Sequence, residues 1–268
     1  MGQHINQFLT GIMGQSKYKI GVYLNQEKIY ITKSVGSFPH LQLETYDIFT
    51  CKENQNILEC LESALHQIPA SFFHSGKVYV CLSFEKFSVE KLTLPSLSDI
   101  EVNQAIHHKM ESHPESSYIY KIVSSYENDQ NQRMNDYVIY YSQKEYILHL
   151  MEILRKHRIN VHKLICEPDA IESFISRYLE IDTNEHMTAA YLSGHYFNIY
   201  VIKDGKILFF RHVLLGLENI IASIVGHFES HGKKGDITYD QALDLLKNHD
   251  FNQHTNKKEK WYYLYPLL

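Results

Sequence analysis

Polar turns separate runs of apolar, β-branched and aromatic residues along two stretches of this chain, and the runs predict strands. In the second half, Phe197-Asn198-Ile199-Tyr200-Val201-Ile202 and Ile207-Leu208-Phe209-Phe210 are rich in β-branched and aromatic residues. Between them lies Lys203-Asp204-Gly205-Lys206, whose Gly accepts positive φ without strain, so the unit reads as a tight hairpin. A run from Met187 to Leu192 precedes it as a third strand. Near the start of the chain, Tyr18 to Leu24, Lys28 to Ser34 and Leu41 to Phe49 predict three more. Val22-Tyr23-Leu24 followed by Ile29-Tyr30-Ile31-Thr32-Lys33 repeats the order of Ala190-Tyr191-Leu192 followed by Ile199-Tyr200-Val201-Ile202-Lys203, so the two halves share one plan.

Helical spacing takes over between these stretches. Asn56 to Ile68 repeats Ile57, Leu58, Leu61, Ala64, Leu65 and Ile68, and Pro69 stops it. Val78 to Phe84 then reads as a strand buried on both faces, which gives three antiparallel strands, a crossover helix and a parallel strand. The chain continues as a helix to His113, strands Tyr118 to Tyr126 and Tyr137 to Tyr141, a helix from Lys144 to His157, and a strand from Ile159 to Cys166. Leu217 to His231 is expected as one helix, with Gly226 and Gly232 capping its end. At the start, Ile5, Phe8, Leu9, Ile12 and Met13 share one helical face. Its polar side lacks Lys and Arg, which points to docking on protein and not on lipid.

Composition narrows the function classes. The chain has 268 residues, a formal net charge of −5 and a pI near 6.4, so no global basic field draws it onto nucleic acid. Cys51, Cys60, Cys81 and Cys166 form no C-x-x-C pair, and four reduced, mostly buried thiols of a cytosolic protein are expected. No window reaches the roughly 18 uninterrupted apolar residues of a membrane span, and no signal peptide opens the chain. His107, His108 and Glu111 lie on a solvated helix face without a second ligand pair, so no metal is assigned. The stretch from Gly226 to Lys234 fails as a P-loop, because it has five residues between its glycines and no Ser or Thr after Lys234.

A strand-turn-strand near the start of each half resembles the actin-like ATPase superfamily, and most of the chain is similar to the type IV pilus assembly protein PilM family. The resemblance rests on Asp204-Gly205, Arg211 and Gly216, on Leu92-Thr93-Leu94-Pro95, Glu111 and Pro114, on Glu167-Pro168-Asp169-Ala170, and on Ile237 to Lys247. It implies an α/β, actin-like (FtsA/PilM-like) two-lobe fold with an inserted α+β subdomain and an incomplete second lobe. The implied divisions are 1–87 for the first lobe, 88–166 for the insertion and 167–268 for the second lobe, where relatives continue past the last residues, Trp261 to Leu268. In the family the two phosphate hairpins carry Asp and Gly. On that frame the Asp positions fall on Tyr23 and Tyr191, the second Gly positions on Asn25 and Ser193, and the Thr on Phe197 or Asn198. Gly21, Gly216 and Lys247 survive as degenerate nucleotide-binding positions, while Leu243 replaces a Glu.

Phosphoryl transfer needs a carboxylate-held Mg²⁺ and glycine-turn amides around the phosphates, and tyrosine supplies neither. The expectation is therefore no catalytic residue, no cofactor beyond doubtful ATP binding, and a non-catalytic scaffold. Two alternatives stay open: a nucleotide-binding ATPase of pilus assembly, and the cytoplasmic domain of a type II secretion L-type protein. By the resemblance, the partner is the short cytoplasmic tail of a PilN-like membrane protein, held in a groove between the first lobe and the insertion. It would place the chain in the cytoplasm, at the inner membrane only through that partner. The expected peptide-binding face is Tyr118, Tyr120, Ile122 and Tyr126, taken as one side of a strand.

Overall fold

The computed structural model describes residues 18–36, 40–52, 54–178, 186–203, 205–230 and 233–248. The amphipathic stripe Ile5 to Met13, Asp204 and the stretch Trp261 to Leu268 lie outside the described residues. The chain forms two compact units, residues 1–182 and 183–268.

The first unit opens with β1 (Tyr18–Leu24), β2 (Lys28–Val35) and β3 (Gln42–Thr50), an antiparallel meander. Helix α1 (Ile57–Gln67) follows, its first turn capped by Asn56, whose side chain accepts from the Leu58 amide. A short helix α2 (Ala70–His74) leads to β4 (Gly76–Leu82), which pairs parallel with β1. One sheet face carries the core: Ile20, Val22, Leu24, Ile29, Ile31, Val78, Val80 and Leu82 are buried, as are Ile57, Leu58, Leu61, Ala64 and Leu65 of α1, while in β4, expected to be buried on both faces, Tyr79 and Cys81 on the other face are only partly buried.

An insertion then leaves this sheet. After a 3₁₀ turn at Phe84–Lys86 come β5 (Ser88–Pro95), α3 (Asp99–Met110), β6 (Ser116–Glu127), β7 (Arg133–Gln143) and α4 (Lys144–Lys156). The three strands make a separate antiparallel sheet in the order β5-β7-β6. Ser98 and Glu101 box the start of α3, and Val102, Ile106 and Met110 pack on Tyr137 and Ile139 of β7. The chain returns through β8 (Val161–Cys166), which pairs parallel with β4 and completes a five-stranded sheet, β3-β2-β1-β4-β8. Helix α5 (Glu167–Tyr178) closes the unit.

Two expected boundaries therefore move. β8 belongs to the sheet of the first lobe and not to the insertion, because its backbone pairs in a parallel ladder with β4. Helix α5 lies in the first unit, although the sequence reading opened the second lobe at residue 167.

The second unit contains β9 (His186–Leu192), β10 (Phe197–Lys203) and β11 (Lys206–Val213), ordered β11-β10-β9, with Gly205 at φ 71° between the last two. Helix α6 (Leu217–Ile224) is shorter than expected. Val225 ends it, Gly226 turns the backbone at φ 118°, and β12 (Gly226–Ser230) pairs with β13 (Lys233–Ile237) where the expectation was helix to residue 231. Helix α7 (Tyr239–Asn248) then packs on α6, burying Ile221, Ile224, Ile237, Ala242 and Leu245.

The expectation of four reduced thiols is also corrected. Cys51 and Cys60 are joined as a disulfide that ties the end of β3 to α1, while Cys81 and Cys166 are free. The first pair lies nine positions apart, a spacing that matches no redox or zinc motif and so gave no signal in the sequence.

Candidate functional site: two closed hairpin turns and an open groove

The turn between β1 and β2 is held by its own first residue. Asn25 donates its amide to the Lys28 carbonyl at 3.1 Å, and its side-chain Oδ1 accepts from the amides of Glu27 at 3.0 Å and Lys28 at 2.7 Å. A glycine there would leave both amides pointing at a ligand; asparagine takes them. Just before the turn, the Tyr23 hydroxyl donates to Oε2 of Glu167 at 2.8 Å, and Glu167 is buried at the start of α5. Gly21 sits in β1 opposite Thr32, whose Oγ1 would lie 2.7 Å from an added Cβ. Its role is close strand packing.

The turn between β9 and β10 repeats the device. Ser193 donates its amide to the Tyr196 carbonyl at 2.8 Å, and its Oγ accepts from the amides of His195 at 3.3 Å and Tyr196 at 3.1 Å. The start of α6 is stitched to the same turn, with the amides of Leu217 and Glu218 donating to the carbonyls of Ser193 at 2.9 Å and Gly194 at 2.8 Å. These are amides that a helix N-terminus would otherwise present to an anion. Gly216 permits the approach, since an added Cβ would lie 2.3 Å from the Gly194 oxygen. Asn198 is fully buried, with Oδ1 2.7 Å from His212 Nδ1, and Tyr191 stands beside Tyr196 with ring centroids 6.0 Å apart.

Lys247 is exposed on α7, and Leu243 packs against the α6–α7 core where the family pattern has Glu. Gly21 belongs to the first unit, Gly216 and Lys247 to the second. Among the described residues, no cluster of three or more His, Cys, Asp or Glu is arranged to hold a metal ion. The groups at the two turns do not fit a Mg²⁺-nucleotide: the carboxylate positions are tyrosines, and the amides named above are bonded within the chain.

The strand face expected to bind peptide is broken by a bulge. Tyr118 and Tyr120 pack against α3, with the Tyr120 hydroxyl donating to Asn103 Oδ1 at 2.7 Å. Ile122 pairs with Tyr137 and Ser124 with Asp136, so Val123 is the extra residue. One inserted residue flips the faces beyond it, and Tyr126 comes to the opposite side of the sheet from Tyr118, Tyr120 and Ile122. The four do not make one stripe.

A shallow groove lies elsewhere in the first unit, along α4 of the insertion and the chain that leads into β8 of the main sheet. It is open and mixed in polarity, holds about 640 Å³, and is lined by the apolar Leu148, Met151, Ile159 and Val161 with the polar Glu152, Arg155 and Asn160. Leu148 is 60% and Met151 38% exposed, while Leu150, Ile153 and Leu154 on the other side of α4 are buried. Among the described residues β8 is the edge strand of the five-stranded sheet, and its first residue, Val161, lines the groove. The sequence did carry this signal: Tyr146, Ile147, Leu148, Leu150, Met151, Ile153 and Leu154 are more apolar residues than one packing face of a helix uses.

No protein-family model and no curated protein matches this chain. Among solved structures, it is similar to a chain of a PilM–PilN type IV pilus biogenesis complex, with a TM-score of 0.62 and 11% identity over 77% of this chain and 64% of that one. A Bacteroides thetaiotaomicron protein with an actin-like ATPase fold and unknown function gives a TM-score of 0.50 at 12% identity, covering 79% and 77% of the two chains. The fold is actin-like. The cytoplasmic domain of EpsL, an inner-membrane component of the Vibrio cholerae type II secretion system, gives a TM-score of 0.48 at 13% identity over 73% and 71%. In actin-like terms, the meander β1-β2-β3 and β4 open the first lobe, β5 to α4 are inserted into it, and β9 to β11 open the second. This chain spans less than two thirds of the chain from the PilM–PilN complex.

Proposed function

We propose that this chain is a non-catalytic, actin-like scaffold of a type IV pilus or related inner-membrane assembly machine, and that it binds the cytoplasmic tail of a PilN-like membrane protein. One observation carries the first part: both hairpin turns satisfy their own amides through Asn25 and Ser193, and Tyr23 is bonded to Glu167. A fold whose phosphate turns are closed in this way keeps its shape without a nucleotide. The likeness to the PilM–PilN complex supports the second part, and among the described residues no helix is long and apolar enough to cross a membrane. Recruitment through a partner's tail then accounts for work at the inner membrane.

The tail docks in the α4–β8 groove. An extended segment gains main-chain hydrogen bonds along the free edge of β8, while apolar side chains on it cover Leu148 and Met151. The test is capture of tail peptides from membrane proteins encoded beside this one. Because Leu148 and Met151 are exposed, Leu148→Asp and Met151→Asp leave the fold intact, and each is expected to weaken a captured tail about tenfold or more. Unchanged binding in the double variant would place the tail elsewhere.

A further inference from the structure

We propose that the outer edge of β3 is a self-association surface, on which a second copy of this chain pairs antiparallel about Tyr46. Among the described residues, β3 pairs only with β2 and ends the five-stranded sheet. Its nine residues are exposed on both faces apart from Phe49, and Leu43, Tyr46 and Ile48 are 59%, 64% and 50% exposed. A register shift explains why these three stand together. Lys33 pairs with Thr45 and Ser34 with Leu43, so Glu44 is the extra residue, and Leu43 joins Tyr46 and Ile48 on one side of the sheet. A free edge carrying an apolar row is a template for another strand.

The sequence of β3 selects the occupant and the register. A two-fold pairing centred on Asp47 or on Glu44 sets a carboxylate against its own copy, which is destabilising. With Glu44 the extra residue in each copy, centring on Thr45 sets Leu43 against Tyr46 and leaves Ile48 opposite no residue of β3. Centring on Tyr46 opposes Leu43 to Ile48 and Thr45 to Asp47, with the two Tyr46 rings meeting on the axis, so all three exposed apolar side chains meet apolar partners. No like charges face each other in that arrangement, and its self-match lies in the apolar row Leu43, Tyr46 and Ile48. The edge is also preorganised, which lowers the cost of association. Cys51, the residue after β3, is bonded to Cys60 of α1, and its amide donates to the Glu27 carbonyl at 2.7 Å. The result is a continuous ten-stranded sheet across two copies.

Sedimentation of the full chain over a concentration series tests this, alongside Tyr46→Lys and Tyr46→Cys. The exposed position lets both variants fold, which matching circular dichroism and melting curves verify. The expected results are a concentration-dependent dimer in the parent, at least a tenfold weaker dimer in Tyr46→Lys, and mild oxidation that cross-links Tyr46→Cys but not Thr45→Cys, since Thr45 faces Asp47 in the paired strand. A parent that stays monomeric at every concentration overturns the proposal; that is also the outcome if the edge serves a different protein. A dimer unchanged in Tyr46→Lys, or equal cross-linking at the two cysteine positions, overturns it as well.

Discussion

Asn25 and Ser193 occupy the same place in two separate hairpins, and each turns a side-chain oxygen onto two amides of its own turn. A net hydrogen bond of this kind contributes roughly 0.5–1.5 kcal/mol, and an amide left without its acceptor costs more. Asn25→Ala is therefore expected to lower stability by about 1–2 kcal/mol in urea unfolding, and Ser193→Ala by a similar amount. An unchanged midpoint in both would show that the turns do not depend on these acceptors. The two positions were singled out by the family resemblance, Ser193 by counting back from Asp204-Gly205 and Asn25 by setting Gly21 on the family's first glycine. That the replacements close the turns was not legible in the sequence. It depends on side-chain geometry that spacing alone does not fix.

At the scale of elements, α1 and α4 meet through an imidazole pair. The rings of His66 and His157 stand edge to face at 4.6 Å, and Nε2 of His157 is buried without a hydrogen-bond partner among the described residues. Burial first, and then the neighbouring His66 charge, hold the His157 imidazolium below the ordinary range, with Glu62 opposing and Lys156 adding to the effect. The Glu62 carboxylate is itself held low by its bond to Lys156. A histidine depressed in the folded state binds fewer protons than its unfolded counterpart. Its contribution is full above the unfolded value of about 6.5 and is lost as pH falls through the folded one. Melting temperature is thus expected to drop below about pH 6.5, and less so in His157→Gln. The same slope in parent and variant would remove His157 as the cause.

Element boundaries were read from sequence within a few residues wherever apolar periodicity was long, as in α1, β1 and α4. The failures have physical causes. The chain after Ile224 continued a helical pattern, but Gly226 at positive φ ended it and opened the β12–β13 hairpin. Strict alternation placed Tyr126 with Tyr118, and one bulged residue at Val123 undid it.

For the molecule as a whole, the meander, crossover helix and parallel strand of the first lobe were legible as an ordered pattern, and so was the repeat of the hairpin. The disulfide was not, and it gives a further test. By loop-entropy reasoning, closing the short loop between Cys51 and Cys60 contributes about 2–3 kcal/mol, so reduction is expected to lower the melting temperature. Identical melting with and without reductant would contradict the bond's contribution.

In the proposed function, this actin-like fold is a scaffold that does not take up a Mg²⁺-nucleotide. Isothermal titration of the full chain with Mg²⁺-ATP addresses it most directly. The account predicts no saturable binding in the sub-micromolar range, because the amides of both turns are taken by Asn25 and Ser193 and the carboxylate positions are Tyr23 and Tyr191. A sub-micromolar dissociation constant that weakens when Mg²⁺ is withdrawn would contradict it.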